Sequence, residues 1–160
     1  MENYMKLEIA AKSENEGFAR SAVAAFALPL GPSLSELDDI KTAVSEAVTN
    51  CIVHAYQHNE DQKILLECET QKTSFGGLLH IIITDYGCGI EDVEQAVEPF
   101  YTTLTESERS GMGFTIMQTF TDEFSLSSER GKGTTVRMIK KIGAKLALEK
   151  SLPRKELLNA

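Results

Sequence analysis

Residues 40–56 read IKTAVSEAVTNCIVHAY, and this two-faced stretch decides the fold. Apolar side chains recur every three or four residues, which predicts an amphipathic helix packed on a core. The predicted apolar face consists of Ile40, Val44, Ala47, Val48, Cys51 and Ala55. Along one border of this face, Glu46, Asn50 and His54 follow each other at four-residue spacing. They therefore form one polar stripe on the helix.

The polar stripe places a carboxylate and a carboxamide at the edge of a core. A carboxamide oxygen can ligate Mg²⁺, and a carboxylate can accept a proton during catalysis. Glu46 and Asn50 are therefore candidates for a general base and a metal ligand facing a cleft. The alternative is an ordinary solvated helix face, which the stripe alone does not exclude. His54 and His58 are also four residues apart, but without the H-E-x-x-H pattern of zinc enzymes we interpret them as surface or capping residues.

Capping signals predict where two helices begin. Ser33 with Glu36 three residues later forms a capping-box pattern at the start of the long helix. Ser13 with Glu16 forms the same pattern at the start of an earlier helix, which should end near Ala27. Both helices should therefore begin with side-chain hydrogen bonds to their first backbone amides.

Alternating or continuous apolar runs predict five strands. These are Met5–Ala11, Lys63–Thr70, Leu78–Thr84, Glu123–Ser128 and Thr134–Ile142. The predicted helices are Ser13–Ala27, Ser33–Tyr56, a short helix ending near Val97, and Gly113–Phe120. Adjacent strands with helices grouped between them imply an α+β fold: a two-layer sandwich whose mixed, mainly antiparallel sheet is covered by helices on one face. We expect residues 1–142 to form this domain and residues 143–160 a tail without an assigned role.

A second candidate for chemistry follows the third predicted strand, where the chain reads Asp85-Tyr86-Gly87-Cys88-Gly89-Ile90. Asp85 comes directly after an apolar run, so its carboxylate should lie at the rim of a buried surface. There it could accept a hydrogen bond from an exocyclic amine such as that of adenine, and it would disfavour the carbonyl of guanine. A simple tight turn leaving the sheet is the alternative.

Two further segments suggest a phosphate site and its surroundings. Arg109-Ser110-Gly111-Met112-Gly113-Phe114 leads into a predicted helix, and glycine amides at a helix N-terminus bind phosphate readily. Residues 99–110 before it are polar and without periodicity, which is typical of a loop or lid. Gly133-Thr134-Thr135 places a hydroxyl at the start of the last strand, although a plain hairpin turn would look the same.

The composition excludes several classes of function. The formal net charge is −8, so direct nucleic-acid binding is disfavoured. No stretch has the layout of a signal peptide or the length of a membrane span, and we expect a cytoplasmic protein without membrane contact. Three widely spaced cysteines argue against a disulfide framework or a zinc site. The Walker A and G-x-G-x-x-G patterns of other nucleotide folds are also absent.

The four motifs together carry a family resemblance. In order along the chain they are E-x-x-x-N on a long helix, D-x-G-x-G-I, G-x-G-F and G-T-T. This order resembles the GHKL, or Bergerat-type, ATP-binding fold shared by gyrase, histidine kinases and MutL. The stretches 45–50, 108–117 and 15–20 are more specifically similar to the anti-sigma F factors, which are serine-protein kinases of that superfamily. The resemblance covers approximately residues 5–141.

The resemblance implies a role for each matching residue. Glu46 would be the catalytic base for a serine hydroxyl, and Asn50 would ligate Mg²⁺ beside the nucleotide. The other residues expected to bind ATP or ADP are Asp85, Gly87, Gly89, Thr103, Ser110, Gly111, Met112, Gly113 and Thr134. Arg20 and Arg109 would contact partner proteins.

The resemblance also implies partners. The chain would be a homodimer that binds and inhibits the sporulation sigma factor F when ATP is present. It would also phosphorylate a serine of an anti-anti-sigma factor. The alternatives are a general-stress anti-sigma serine kinase, the ATP-binding domain of a histidine kinase, and an ATP-gated binding module without catalysis. A pure binding module would have no need of a base at Glu46.

Overall fold

The structure is a computed structural model that describes residues 2–99 and 111–151 of the 160-residue chain. Five strands form one sheet: β1 (Asn3–Ala10), β2 (Lys63–Thr73), β3 (Gly76–Asp85), β4 (Glu123–Glu129) and β5 (Gly133–Ile142). Their order across the sheet is β1-β2-β3-β5-β4, and each of these pairings is antiparallel.

The described residues also form the helices α1 (Glu14–Ala27), α2 (Leu34–Asn50), the short α3 (Val93–Ala96), α4 (Gly113–Phe120) and α5 (Ala144–Ser151), with a 3₁₀ turn at Leu28–Leu30. Of these, α1, α2 and α4 bury apolar side chains against one face of the sheet. Alternate residues of β3, including Ile81 and Ile83, are buried with the apolar stripe of α2, which includes Ile40 and Val44. The predicted α+β sandwich with helices on one face is therefore confirmed.

The two capping predictions have different outcomes. At α2, the Glu36 amide donates to Ser33 Oγ over 3.1 Å, and the Ser33 amide donates to Glu36 Oε2 over 2.8 Å. This capping box is confirmed. At α1, Ser13 has helical backbone angles and makes no side-chain cap, so the second capping box is wrong. A capping side chain needs an extended backbone at that residue, and here the chain already turns at Ser13.

The end of the long helix and the first hairpin also differ from the expectation. The α-helix ends at Asn50 and continues as a π-helical turn over Cys51–Ala55. Gly76 and Gly77 lie outside the predicted third strand, which begins at Leu78, but they belong to β3 because Gly76 pairs with Thr73 of β2 and Gly77 with Lys72. The turn itself therefore consists of Ser74 and Phe75, the two residues between Thr73 and Gly76.

A partly buried lysine connects α2, β5 and the end of α4. Lys140 Nζ lies 2.8 Å from Asp39 Oδ2 and also donates to the Phe120 carbonyl oxygen over 3.0 Å. The side chain of Lys140 is only 12% exposed, so the ammonium is largely removed from water and is satisfied by these two partners. Through these contacts the C-terminal end of α4 is fixed to the same helix that carries the polar stripe.

The start of the tail is tied to the other end of α2. Gly143 N donates to Glu36 Oε1 over 2.9 Å, so the capping glutamate also holds the residue that precedes α5.

In residues 2–99 and 111–151, no helix has both the length and the apolar character needed to cross a lipid bilayer.

Candidate functional site

A cleft of about 620 Å³ lies between the C-terminal half of α2, the loop after β3, the start of α4 and the start of β5. A volume of this size is typical of small-molecule sites. Of the residues predicted for the site, the cleft is lined by Asn50, Asp85, Gly89, Gly111, Gly113 and Thr134. Glu46, Gly87 and Met112 lie next to these lining residues in the chain or in space.

The polar stripe of α2 meets the first residue of α4 at one side of the cleft. A Cβ placed on Gly113 would lie 3.1 Å from Asn50 Oδ1 and 3.3 Å from Glu46 Oε2. Any side chain at position 113 would therefore crowd both groups. The absence of a side chain lets the start of α4, whose first backbone amides have no partner within the helix, come close to a carboxylate and a carboxamide.

Asp85 also lines the cleft and is only 5% exposed. Its Oδ1 accepts a hydrogen bond from Gly87 N over 2.9 Å. Burial raises the pKa of the Asp85 carboxyl above its ordinary value, and hydrogen bonds from Gly87 N, the Cys51 thiol and Thr134 N oppose that shift. Burial and the nearby Asp85 raise the pKa of the Cys51 thiol, which keeps it protonated as a donor.

The two glycines of the Asp85 loop are required by close backbone contacts. A Cβ on Gly87 would lie 2.4 Å from the Ala55 carbonyl oxygen at the end of the π-helical turn. A Cβ on Gly89 would lie 2.1 Å from the Glu129 carbonyl oxygen, and Gly89 also has a φ of +71° that favours glycine. These two close backbone contacts hold the Asp85 loop between the end of the long helix and the β4–β5 hairpin.

Thr134 has a more constrained hydroxyl than the sequence indicates. Ser128 Oγ donates to the Gly133 carbonyl oxygen and accepts from Ile90 N over 2.8 Å. Since Ser128 has a single hydroxyl proton, the 2.8 Å contact between Thr134 and Ser128 must use the proton of Thr134. The Thr134 oxygen is therefore available to a ligand as an acceptor, and its proton is already used.

The structure brings most of the predicted residues around one cleft, with one exception among those it describes. Arg20 lies on α1, where it forms an ion pair with Glu16 (2.8 Å) and approaches Ser45 Oγ (3.5 Å). It does not line the cleft. Thr103, Arg109 and Ser110 lie outside the described residues, and so does most of the predicted lid over residues 99–110.

Sequence reasoning missed several residues of this site. The sequence pattern indicates Cys51 only as an apolar residue of the long helix, yet its thiol contacts the Asp85 carboxylate. Ser128 was assigned only to a strand, although it joins the Asp85 loop to β5. His54 lines the cleft, so its interpretation as a surface or capping residue is wrong. For His54 a signal was available, since it continues the stripe of Glu46 and Asn50.

Comparison with known proteins agrees with this geometry. Residues 9–140 match the family model of the histidine kinase-like ATPase domain. An anti-sigma F factor of Clostridium perfringens is 51% identical over 145 residues, which cover 89% of this chain and 99% of that protein. The chain belongs to the anti-sigma F factor family. Another anti-sigma F factor, from Clostridium botulinum, is 54% identical over 140 residues, with 88% of this chain and 95% of the relative covered.

The fold of this anti-sigma F factor family member is also found among solved structures. The RsbU and RsbW domains of Rv1364c from Mycobacterium tuberculosis superpose with a TM-score of 0.62 at 16% identity. The match covers 88% of this chain and 32% of that chain, so it concerns about a third of the solved protein and supports the fold alone. The histidine kinase-like ATPase fold predicted from the four motifs is confirmed.

The buried carboxylate should have a measurable effect on stability. The free energy of unfolding of the Asp85→Asn variant, relative to that of wild type, should increase as the pH rises from 4 to 7. Because burial raises its pKa, ionised Asp85 destabilises the native state, and this effect is absent below the ordinary aspartate pKa of about 3.9. As the pH rises through the native pKa, the wild type loses stability that the variant keeps.

Thermal denaturation at pH 4 and pH 7 measures this difference. The Tm of Asp85→Asn relative to wild type should increase between the two values. Asp61→Asn, at an exposed carboxylate, is the control for the loss of charge. A relative Tm of Asp85→Asn that falls on going from pH 4 to pH 7 would contradict the expectation.

Proposed function

We propose that this chain is an ATP-dependent inhibitor of the sporulation sigma factor F and a protein serine kinase acting on an anti-anti-sigma factor. The reaction converts ATP and a protein serine into ADP and phosphoserine. One observation carries the proposal: Glu46, Asn50 and Gly113 meet beside a cleft that the buried Asp85 also lines. The relatives named as anti-sigma F factors support it.

The residues around the cleft fit a magnesium nucleotide. The carboxamide oxygen of Asn50 is a suitable hard ligand for Mg²⁺, and the backbone amides of Gly111, Met112 and Gly113 suit phosphate oxygens. Asp85 supplies an acceptor in a buried position for the amino group of adenine. When bound, Mg²⁺ supplies charge neutralisation to the phosphates.

The described residues divide the catalytic work. Asn50 and the start of α4 would hold the phosphates, while Asp85 and the Thr134 oxygen would orient the base. Glu46, one helical turn from Asn50, would accept the serine proton as the serine oxygen bonds to the γ-phosphorus and the bond to the β-phosphate oxygen breaks. Positioning and charge stabilisation of this kind account for most of the catalysis of phosphoryl transfer.

Separate substitutions of Asn50 and Glu46 should have different effects. Asn50→Ala removes the metal ligand, so nucleotide binding, phosphorylation and ATP-dependent capture of the sigma factor should all be lost. Glu46→Ala removes only the proton acceptor, which typically contributes about 10²–10⁴ in rate. This variant should still bind ATP and capture the sigma factor. The measurements are transfer of labelled phosphate and a sigma-factor pull-down.

Asp38→Ala is the matched control, because it removes an exposed carboxylate from the same helix. It should retain both activities, and circular dichroism should show that all three variants are folded. Phosphorylation by Glu46→Ala at the wild-type rate would remove the assignment of a base to this residue.

Arg20 is a candidate contact for a protein partner rather than for the nucleotide. Its side chain is 44% exposed, and the neighbouring Phe18 is 54% exposed on the same helix. An exposed arginine beside an exposed aromatic ring is a composition favoured at protein interfaces. Arg109, the second predicted contact, remains a proposal from the resemblance.

Reversal of the charge at Arg20 tests this assignment. Arg20→Glu should weaken binding of the sigma factor by about tenfold or more, since truncation of an interface arginine often costs over 1 kcal/mol. The ATP affinity should change little, because Arg20 does not line the cleft. Calorimetry with each ligand separates the two effects, with Lys72→Glu as an exposed charge-reversal control. Equal loss of both affinities would refute the partner role.

The homodimer has a candidate surface on the face of the sheet that α1, α2 and α4 leave open. Glu67, Ile82 and Arg137 form one cross-strand row on that face, because Glu67 pairs with Ile82 and Ile82 with Arg137. Partly exposed Leu65 and Ile139 lie in the adjacent rows. Arg137 is exposed and makes no ion pair within residues 2–99 and 111–151.

This row is complementary to a second copy of itself. A two-fold axis parallel to β3 would place Ile82 against Ile82 and bring Glu67 of each protomer opposite Arg137 of the other. Sheets pack face to face in this way in β-sandwiches, and opposite charges that meet in such an interface fix its register. We infer that two copies of this chain associate through the open face of the sheet.

Light scattering after gel filtration tests the proposed dimer. Arg137→Glu and Glu67→Arg should each shift the protein towards monomer because like charges would then meet. The double variant Glu67→Arg/Arg137→Glu should restore the dimer. Lys145→Glu, an exposed charge reversal on α5, should remain dimeric. A monomeric wild type would refute the homodimer, and a dimer unaffected by the single reversals would refute this face.

A further inference from the structure

Tyr56 is a buried tyrosine at the junction of α2, β2 and the Asp85 loop. It is 6% exposed and directly follows the π-helical turn Cys51–Ala55. Its hydroxyl accepts a hydrogen bond from Tyr86 N over 2.8 Å and donates to the Lys63 carbonyl oxygen. The Tyr86 amide belongs to the peptide group that joins residues 85 and 86. The hydroxyl therefore holds the peptide that immediately follows Asp85.

The same helix end holds the loop at a second point. Cys88 N donates to the Ala55 carbonyl oxygen over 3.1 Å, and Cys88 Sγ donates to the His54 carbonyl oxygen over 3.4 Å. Carbonyls in the last turn of a helix have no partner within the helix, and here the loop supplies donors to them. The loop is thus attached to the helix that carries Glu46 and Asn50.

We propose that Tyr56 is a positioning residue that fixes the base-recognition loop, through Asp85, relative to the catalytic stripe of α2. The proposal rests on the ATP-binding function proposed above. Tyr56 would act through Asp85 and would not touch the nucleotide, since it does not line the cleft. Fixing Asp85 in this way would give selectivity for adenine, because that selectivity depends more on the position of the Asp85 carboxylate than on the phosphate contacts.

The chemistry of the hydroxyl agrees with a fixed role. Burial raises the pKa of Tyr56 to about 12, so the hydroxyl keeps its proton at physiological pH and remains a donor to Lys63. Its oxygen is then the acceptor for Tyr86 N. A phenylalanine would fill the same space but could make neither bond, and it would leave the Tyr86 amide without this partner.

The test is the Tyr56→Phe variant, with ATP and GTP affinities measured by calorimetry or by competition. The dissociation constant for ATP should rise by roughly five- to tenfold, which corresponds to loss of one hydrogen bond. That for GTP should change much less, because Asp85 gives guanine no favourable contact. Selectivity for ATP over GTP should therefore fall. A general loosening of the fold would weaken both nucleotides by the same factor.

Tyr4→Phe is the matched control, because it removes a tyrosine hydroxyl that donates to Glu67 on the sheet, away from the cleft. It should leave both nucleotide affinities unchanged. In the Asp85→Asn background, Tyr56→Phe should cause little further loss of ATP affinity, since both substitutions remove the same recognition element. Such non-additivity is expected only for residues that act together.

Three results would overturn the role of Tyr56. They are wild-type ATP affinity in Tyr56→Phe, equal losses for ATP and GTP, and effects of Tyr56→Phe and Asp85→Asn that add fully. A wild-type chain without ATP affinity would instead overturn the proposed function, and this proposal with it. The wild-type titration therefore distinguishes the two failures.

Discussion

The burial of one face of α2 against the sheet determines where the polar groups of the cleft can lie. Ile40, Val44 and Val48 are fully buried, so the rotation of this helix about its axis is fixed by the core. Glu46 and Asn50 must then lie at the border of the buried face, next to the start of α4. Fully burying an aliphatic side chain stabilises a protein by about 1.5–3 kcal/mol, so these three side chains strongly favour this rotation of the helix.

The cleft itself is a compromise between stability and chemistry. Asp85 stands at the end of a strand whose other inward side chains, such as Ile81 and Ile83, are apolar and buried. A carboxylate in that row is unfavourable for the fold, and three hydrogen bonds compensate for only part of its burial. Groups of this kind are concentrated in functional sites, where a ligand supplies the missing partner.

The extent to which the sequence predicts this structure depends on how local the determining contacts are. The capping box at Ser33 and Glu36 and the apolar stripe of α2 were predicted, since each needs only residues a few positions apart. The cap predicted at Ser13 is absent from the structure, because Ala11 is buried in the core with its amide bonded to the Gln62 carbonyl oxygen, and this fixes how the chain enters α1. Likewise, the contacts of Cys51 and Ser128 with the Asp85 loop join distant segments, and no spacing rule reveals them.

The hydrogen bond between Glu36 and Gly143 has a practical consequence for experiments. The bond holds the start of α5 at the first turn of α2, and Asn50 is the last residue of the same helix. The fourteen residues from Glu36 to Asn50, at 1.5 Å each, therefore separate the start of α5 from Asn50 by about 20 Å. A fluorophore at the exposed Lys145 would therefore lie well away from the cleft. Paired with a labelled nucleotide, it would form a donor–acceptor pair whose separation is set by a rigid helix, and energy transfer could report occupancy of the cleft without a label on any residue that lines it.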